Sequence, residues 1–214
     1  MLASSQRFVI NVKGKQAHGS TPWQSIDPIV VSAQIINGLQ TLISRESELT
    51  KEGAVITIGS IHSGIRFNII PEHLEMVGTI RTLDKEMKEL LRKRMNEMVP
   101  SIAKAYRAEA TLDIQDGADV TFNHLALTKQ MLPTLERAAG KANVNLMDAL
   151  TLAEDFSYFQ NEIPGFFFFL GGTPIDMKES DAPSHHTPSF IIDDSSMKLG
   201  VKTLSNLALD YLKN

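Results

Sequence analysis

The 214-residue sequence contains no cysteine, which excludes disulfide bonds, thiolate metal ligands and cysteine nucleophiles. It also lacks a long hydrophobic run, because its longest apolar segment, Phe166–Leu170, is far shorter than the roughly 18 residues that a membrane span requires. Lysine and arginine form no basic stretch, and the net charge is −4. These absences argue against contact with membranes or nucleic acids, and we expect neither as a partner.

Several common signatures are missing as well. The N-terminus has no basic segment followed by an apolar core, so no secretory signal is predicted. The sequence has no Walker A loop, nucleophile elbow, dinucleotide-binding glycine motif or HExxH helix. What remains is an acidic chain with 43% hydrophobic residues, which is typical of a folded protein, and we expect it to be cytoplasmic.

The first half of the chain alternates strand and helix patterns. Apolar and polar residues alternate, as in half-buried strands, at 7–15, 54–64, 73–83 and 110–116. Helical spacing follows Asp27 and Asp84, and aspartate is a favoured N-cap. The order β-α-β-β-α-β predicts a ferredoxin-like fold, with a four-stranded antiparallel sheet and two helices on one face. Pro100 is expected to bend or break the second helix.

The second half has a different pattern. Helices are predicted at 123–139, with a kink at Pro133, at 155–161, and after the cap Asp194-Ser195. Phe166–Leu170 is typical of a buried strand covered on both faces. One strand is too few for such a sheet, so we expect part of this domain to be missing from the sequence.

The long polar loop 171–190 carries the first candidate site. Loops of this length inside a compact domain are often functional, and this one follows a predicted strand. It contains Asp181, His185 and His186. Adjacent side chains of an extended chain point to opposite sides, so at most one of the two histidines can reach a given metal. The alternative is that both are solvated loop residues, and the residues alone leave this open.

Acidic residues precede the same strand, at Glu154 and Asp155. Such pairs usually cap a helix and complement its dipole, and this interpretation ranks first. They can also hold a metal-bound histidine in its orientation.

Three further polar residues lie in the first half. His18 follows the first strand in a loop of small residues that leaves room for a ligand, although most such histidines are merely exposed. Asn68 and Arg81 lie in or beside the third predicted strand. Arg81 is either a surface guanidinium or a fork that holds a substrate carboxylate, and nothing in the sequence decides between them.

Five segments occur in a fixed order, namely FVINVKGKQAHGSTP, DPIVVSAQIINGLQTLISRE, AVITIGSIHSGIRFNIIPEHLEMVGTIRTLD, AEDFSYF and HHTPSF. Together they resemble the M20 metallopeptidases, in particular the N-acyl-amino-acid amidohydrolase branch with hippurate hydrolase and the auxin-conjugate hydrolases. The resemblance extends from about Arg7 to Leu212. It implies an α/β protein with two parts: 1–117 as an α+β lid, or dimerisation, domain, and 118–214 as the C-terminal part of a zinc-peptidase-like α/β catalytic domain.

The resemblance also implies an activity. Members of the family hydrolyse an amide bond with water that is activated on two divalent metal ions, and a glutamate acts as the general base. We therefore expect two ions of zinc, manganese, cobalt or nickel in the complete enzyme. The expected substrate is an N-acyl amino acid or a similar small conjugate, and the expected assembly is a homodimer through the lid.

Individual residues match positions of the family. His186 matches a metal ligand, whereas His185 does not. His18 matches the lid histidine that reaches into the partner subunit's site and helps to hold the scissile carbonyl. Asn68 and Arg81 match residues that contact the substrate carboxylate. The remaining matches are Gly171 and Gly172, where the backbone approaches the substrate, and Glu154, beside the metal site without an assigned ligand role.

One departure from the family is large. Its other metal ligands and its glutamate base precede the lid, and of the ligands only His186 is found here. A catalytic zinc usually needs three protein ligands, so this chain alone is expected to be inactive. The alternative is a non-catalytic dimerisation or small-molecule-binding module. A nucleic-acid-binding ferredoxin-like fold is disfavoured by the acidic charge and the lack of aromatics flanked by basic residues on the strands.

Overall fold

The computed structural model describes residues 1–213, except for the side chain of Glu179. The chain divides into two compact units. The first unit contains Met1–Phe122 together with Asp148–Glu162, and the second contains Asn123–Met147 and the residues from Ile163 onward. Among the described residues, no helix combines the length and apolar character that crossing a membrane requires. The predicted domain boundary at residue 117 remains a prediction.

The first unit contains six strands and three α-helices within the described residues. In chain order these are β1 (Gln6–Lys13), β2 (Ala17–His18), α1 (Pro28–Thr41), β3 (Ala54–Ser63), β4 (Ile69–Ile70), β5 (His73–Thr82), α2 (Lys85–Ala105), β6 (Glu109–Asp116) and, later in the chain, α4 (Phe156–Glu162). The second unit contains α3 (Leu125–Ala139) and α5 (Met197–Leu212). All four long strands and both long helices predicted for the first half are therefore present.

Four strands form the main sheet, in the order β3-β5-β1-β6. All three neighbouring pairs are antiparallel, and β1 pairs with β5 from Gln6 opposite Ile80 to Lys13 opposite His73. This is the predicted α/β architecture with its ferredoxin-like strand and helix order. The sheet leaves β3 and β6 as its edges.

The core lies between one face of the sheet and the helices α1 and α2. Alternate residues of β1 are buried, so that Phe8, Ile10 and Val12 face the core. The buried residues of α2 recur every four positions, among them Leu91 and Met95, as expected for one face of a helix. Each such side chain contributes roughly 1.5–3 kcal/mol when it is fully buried.

Both predicted N-caps of this unit are confirmed. The Asp27 carboxylate accepts the Ile29 backbone N–H at 2.9 Å, and the Asp84 carboxylate accepts the Met87 N–H at 2.8 Å. The expectation that Pro100 breaks α2 is wrong, because the helix continues from Lys85 to Ala105. Its buried face spans the proline and supplies packing that offsets the missing hydrogen bond.

A closed loop connects β1 to α1. Lys15 and Ile26 pair as in an antiparallel bridge, with N–H···O distances of 2.9 and 3.1 Å. Gly14 allows this closure, because a Cβ at its position would lie 2.1 Å from the Ile26 carbonyl oxygen. The loop contains β2, which pairs with β4.

The second unit departs from the predictions at its helix starts. The helix predicted from Asn123 begins at Leu125, and the His124 side chain is its N-cap. The helix predicted after Asp194-Ser195 begins at Met197, preceded by a short turn that Asp193 caps. Helix α3 continues through Pro133, at which a kink was predicted.

The predicted strand Phe166–Leu170 is wrong: these residues are not part of a strand. The Asn123 side chain takes the place of a strand neighbour, donating to the Phe167 carbonyl at 2.8 Å and accepting the Phe167 N–H at 2.7 Å. An extended segment needs a paired backbone to become a strand, and a single carboxamide satisfies only one residue.

Candidate functional site

His18 has a defined hydrogen-bonding state. Its Nδ1 accepts the Ser20 backbone N–H at 3.1 Å and lies 2.7 Å from the Ser20 Oγ. A backbone N–H can only donate, so Nδ1 carries no proton, and the neutral ring is protonated at Nε2. Because the ring is exposed, its Nε2–H is a donor suited to a carbonyl oxygen or to the negative charge that develops on it.

Asn68 lies beside His18. Strand β2 pairs with β4 so that His18 is opposite Ile69, and the Gly19 N–H donates to the Asn68 carbonyl at 2.9 Å. The Asn68 side chain is exposed. The structure thus brings together two of the predicted site residues, 50 positions apart, on one small two-stranded arm.

Arg81 lies on the face of the main sheet that points away from the helices. Its neighbours Ile80 and Thr82 are buried, whereas Arg81 is only half-buried and pairs with Val55 of β3. Among the side chains that the structure describes, none forms an ion pair with Arg81. A guanidinium in this state is available for a carboxylate ligand.

Glu154 precedes α4 and is half-buried. Its backbone carbonyl accepts the Ser157 hydroxyl at 2.9 Å and the Thr121 hydroxyl at 3.5 Å. Its neighbour Asp155 is exposed, and the Asp155 carbonyl accepts the Tyr158 N–H at 2.9 Å. The contacts that hold this turn therefore run through backbone carbonyls.

In the second unit, His186 has an unusual backbone conformation. Its φ of 62° lies in the left-handed region, which a non-glycine residue adopts at a cost of about 1 kcal/mol or more. The loop around it is fixed by hydrogen bonds from Thr187 Oγ1 to the Ser184 carbonyl and from the Phe190 N–H to the Thr187 carbonyl. Sequence patterns gave no sign of this strain, which is a frequent mark of functional positions.

The two adjacent histidines differ in their surroundings. The ring of His185 packs on Phe190 with a centroid distance of 4.6 Å, whereas the exposed His186 has no such ring contact in the described part of the chain. Asp181 is exposed at the end of a short turn in the same loop. The Gly172 carbonyl accepts a hydrogen bond from the Asp193 N–H at 2.7 Å. The space beside Gly171 is open, because an added Cβ would meet no atom within 4 Å.

Metal ligands are sparse within the chain. In the region that the structure describes, no three His, Asp or Glu side chains are grouped so that they hold a metal ion. His186 is thus not part of such a group among the described residues.

An ionic cluster that the sequence did not reveal lies at the start of α2. Lys85 Nζ is 3.2 Å from Asp119 Oδ2, Lys88 contacts both Asp119 and Asp116, and Arg92 is 3.0 Å from Asp116. Burial raises the pKa of Asp119, but a hydrogen bond from the Val120 N–H and the nearby lysines outweigh it, and its pKa is lowered. These partners are about 30 residues apart in sequence, so only the fold shows the pairing.

A shallow cleft of about 300 Å³ lies on the outer face of the main sheet. Residues of β1, β3, β5 and β6 line it, and none of the predicted site residues is among them. The candidate residues therefore do not line this cleft.

Comparison with known proteins identifies relatives of the whole chain. Residues 2–107 match the M20 family model for a peptidase dimerisation domain. The sequence is 34% identical over 212 residues to thermostable carboxypeptidase 2 of Saccharolobus solfataricus, covering 99% of this chain and 52% of the relative. It is 31% identical over 218 residues to N-acetylcysteine deacetylase of Bacillus subtilis, covering 100% of this chain and 53% of the relative.

Solved structures agree with this result. A crystal structure from methicillin-resistant Staphylococcus aureus matches with a TM-score of 0.82 and 28% identity, over 99% of this chain and 53% of that one. YXEP of Bacillus subtilis, described as a dinuclear metal-binding peptidase of the M20 family, matches with a TM-score of 0.70 and 28% identity, over 100% and 51%. The chain spans about half the length of the relatives that it matches.

Proposed function

The chain is a relative of the M20 peptidases, with residues 2–107 corresponding to their dimerisation domain, and on this premise we propose that it is part of a metal-dependent amide hydrolase. The proposed substrates are N-acyl amino acids or similar small conjugates, of the kind named for the Bacillus subtilis relative N-acetylcysteine deacetylase. The residues proposed to take part are His18, Asn68, Arg81 and Glu154 in the first unit, and His186 with the backbone at Gly171 and Gly172 in the second.

The observation that carries this proposal is the state of His18. Ser20 occupies Nδ1, so the exposed Nε2–H is free to donate to the oxygen of a scissile amide as negative charge develops on it. Asn68 on the same arm and Arg81 on the sheet supply a carboxamide and a guanidinium for the substrate carboxylate. Together these groups suit a substrate in which an amide lies next to a carboxylate.

His186 fits the role of a metal ligand, because a neutral imidazole on a fixed backbone is a common ligand. We expect the other ligands and the general base to come from a segment outside this chain. Two divalent ions, of zinc, manganese, cobalt or nickel, would then polarise the carbonyl and lower the pKa of the attacking water. The proposed role of Glu154 is to lie beside that site and help to orient it, without acting as a ligand.

The proposed assembly is a homodimer in which His18 of one copy serves the site of the other. The edge strand β3 carries the exposed Ile61, and α1 carries the exposed Ile29 and Val30. Exposed apolar residues beside an open sheet edge favour pairing with a second copy. Sedimentation at micromolar concentration should show a dimer, and a monomer alone would contradict this part of the proposal.

A chimera tests the proposed reaction. The chain is joined to the part of Bacillus subtilis N-acetylcysteine deacetylase that it does not cover, and release of the free amine is measured. His18→Ala should lower kcat roughly 10²–10³-fold, the usual effect of losing one donor to a developing oxyanion. His73→Ala, which removes another exposed histidine from the central strand β5, should leave kcat unchanged. Equal activity of the His18→Ala variant and the wild type would contradict the assignment.

The alternative function is a non-catalytic dimerisation or small-molecule-binding module. The lack of a three-ligand group in the described chain favours it. A chimera that folds and dimerises but neither binds metal nor releases amine would support this alternative.

A further inference from the structure

A chain of contacts joins α2 to the turn that presents Glu154. Lys85 Nζ lies 3.2 Å from Asp119 Oδ2, and Lys88 Nζ lies 3.6 Å from Oδ1. The Asp119 backbone N–H donates to Ser157 Oγ at 3.0 Å, and Ser157 Oγ donates to the Glu154 carbonyl at 2.9 Å. Four links therefore connect the dimerisation domain to Glu154.

Apart from Lys85, whose side chain is 52% exposed, the partners in these links are less exposed than those of ordinary surface contacts. Ser157 is fully buried, and the side chains of Lys88 and Asp119 are only 13% and 19% exposed. Partly buried charge pairs are screened less than exposed ones, and removing one partner leaves the other poorly solvated.

Helix α4 has its own ties to the same unit. The Lys85 Nζ donates to Asn161 Oδ1 at 3.0 Å, and the Gln160 side chain binds both the N–H and the carbonyl of Phe122. The segment Asp148–Glu162 groups with the first unit, although the chain on both sides of it groups with the second. Its contacts and its chain neighbours thus belong to different units.

We propose that Asp119 is a positioning residue for Glu154. Its backbone fixes Ser157, which holds the Glu154 carbonyl, and its carboxylate ties this turn to Lys85 and Lys88 of the dimerisation domain. The contacts that hold the turn carrying Glu154 therefore lie within the first unit, which also carries His18. This inference rests on the proposed function, because it treats Glu154 as part of the site.

Hydrogen exchange on the 214-residue chain tests the tether without any catalytic readout. Asp119→Asn and Ser157→Ala should each raise the exchange rates of the α4 amides roughly threefold to tenfold, the equivalent of one hydrogen bond, and leave β1 and β5 unchanged. The matched control is Asp113→Asn on β6, whose carboxylate accepts only the Gln115 side chain among the described contacts. It should change neither set of amides.

Unchanged α4 rates in both variants would overturn the proposal. An equal rise in β1 and α4 would overturn it as well, because that result indicates a general loss of stability and no specific tether.

Core substitutions show which unit α4 follows. Leu91→Ala empties a fully buried position in the first unit, and Leu135→Ala empties a buried position, 7% exposed, in the second. Leu91→Ala should raise β1 and α4 exchange by the same factor, and Leu135→Ala should raise neither. If Leu91→Ala fails to fold, Ile80→Val gives the same comparison with a smaller cavity. If the exchange rates of the α4 amides rise in Leu135→Ala and stay unchanged in Leu91→Ala, the coupling is refuted.

The chimera described above adds a kinetic readout. Asp119→Asn should lower kcat and leave KM unchanged, because Asn68 and Arg81 still bind the substrate carboxylate. A change in KM alone would contradict a positioning role. If the chimera has no activity, the proposed function fails, but the exchange experiments still decide whether the tether exists.

Discussion

Gly14→Ala offers a sharp test of how the fold presents His18. A Cβ at this position would lie 2.1 Å from the Ile26 carbonyl oxygen and 2.9 Å from Pro28 Cδ, well inside the 3.4 Å at which ordinary van der Waals contact begins. The nearest obstacle is backbone, so no side-chain rotation relieves the clash. The loop must open, and both hydrogen bonds between Lys15 and Ile26 are lost.

The magnitude follows from those contacts. Two hydrogen bonds contribute about 1–3 kcal/mol together, and overpacking costs a similar amount where the backbone cannot yield. Because opening the loop relieves the strain, the two costs overlap, and we expect a loss of about 2–3 kcal/mol. With a urea m-value near 1.5 kcal/mol/M, the unfolding midpoint of this domain falls by roughly 1–2 M.

Two measurements check this prediction. Urea unfolding followed by circular dichroism gives the stability of the domain. The single tryptophan, Trp23, lies in the same loop and is 73% exposed, so its fluorescence anisotropy should fall as the loop becomes mobile. The control is Gly59→Ala, whose Cβ would meet only the Val77 carbonyl, at 3.7 Å. Equal midpoints for the two variants, with unchanged anisotropy, would refute the steric argument.

Three further predictions concern single contacts. Asp27→Ala removes the N-cap of α1 and should cost about 1 kcal/mol in urea unfolding; no change would contradict the cap. The pKa of Asp119 is lowered on folding, so its contribution to stability is present at neutral pH and is lost as the pH falls below about 4. The urea midpoint should therefore fall less on acidification in Asp119→Asn than in the wild type. An identical fall in both proteins would contradict this contribution of the Asp119 carboxylate. Asn123→Ala removes both hydrogen bonds to the Phe167 backbone, and should speed exchange of the Phe167 amide while β1 is unaffected.

The fold of the first unit was predictable because its signals are local. The alternation in β1 and the caps Asp27 and Asp84 depend on residues that are neighbours in sequence. The strand order β3-β5-β1-β6 follows from the β-α-β-β-α-β order through a known motif. The spacing of hydrophobic residues and the capping residues were therefore enough to predict this architecture.

The second unit shows where such reasoning stops. Phe166–Leu170 has the composition of a buried strand, but a strand also requires a paired neighbour, and pairing is not a local property. The Asn123 carboxamide, 44 residues away, occupies that place instead. The composition of the segment predicted that it is extended and buried, but it could not predict which group pairs with its backbone.

The candidate site divides in the same way. His18 and Asn68 were singled out by their neighbours in sequence, and the pairing of β2 with β4 places them together. The left-handed backbone of His186 and the tie from Lys85 to Asp119 have no sequence signature, because both depend on contacts between distant segments. Their roles in catalysis stay predictions.

The most direct test of the account is the metal content of purified protein after incubation with excess zinc, manganese and cobalt, followed by gel filtration. The 214-residue chain alone should retain fewer than two ions, and the chimera should retain two. His186→Ala should lower the metal content of the chimera, whereas His185→Ala, which removes the ring packed on Phe190, should not. Two ions retained by the chain alone, or an unchanged content in His186→Ala, would contradict the central claim that this chain supplies His186 as one ligand of a site completed from outside it.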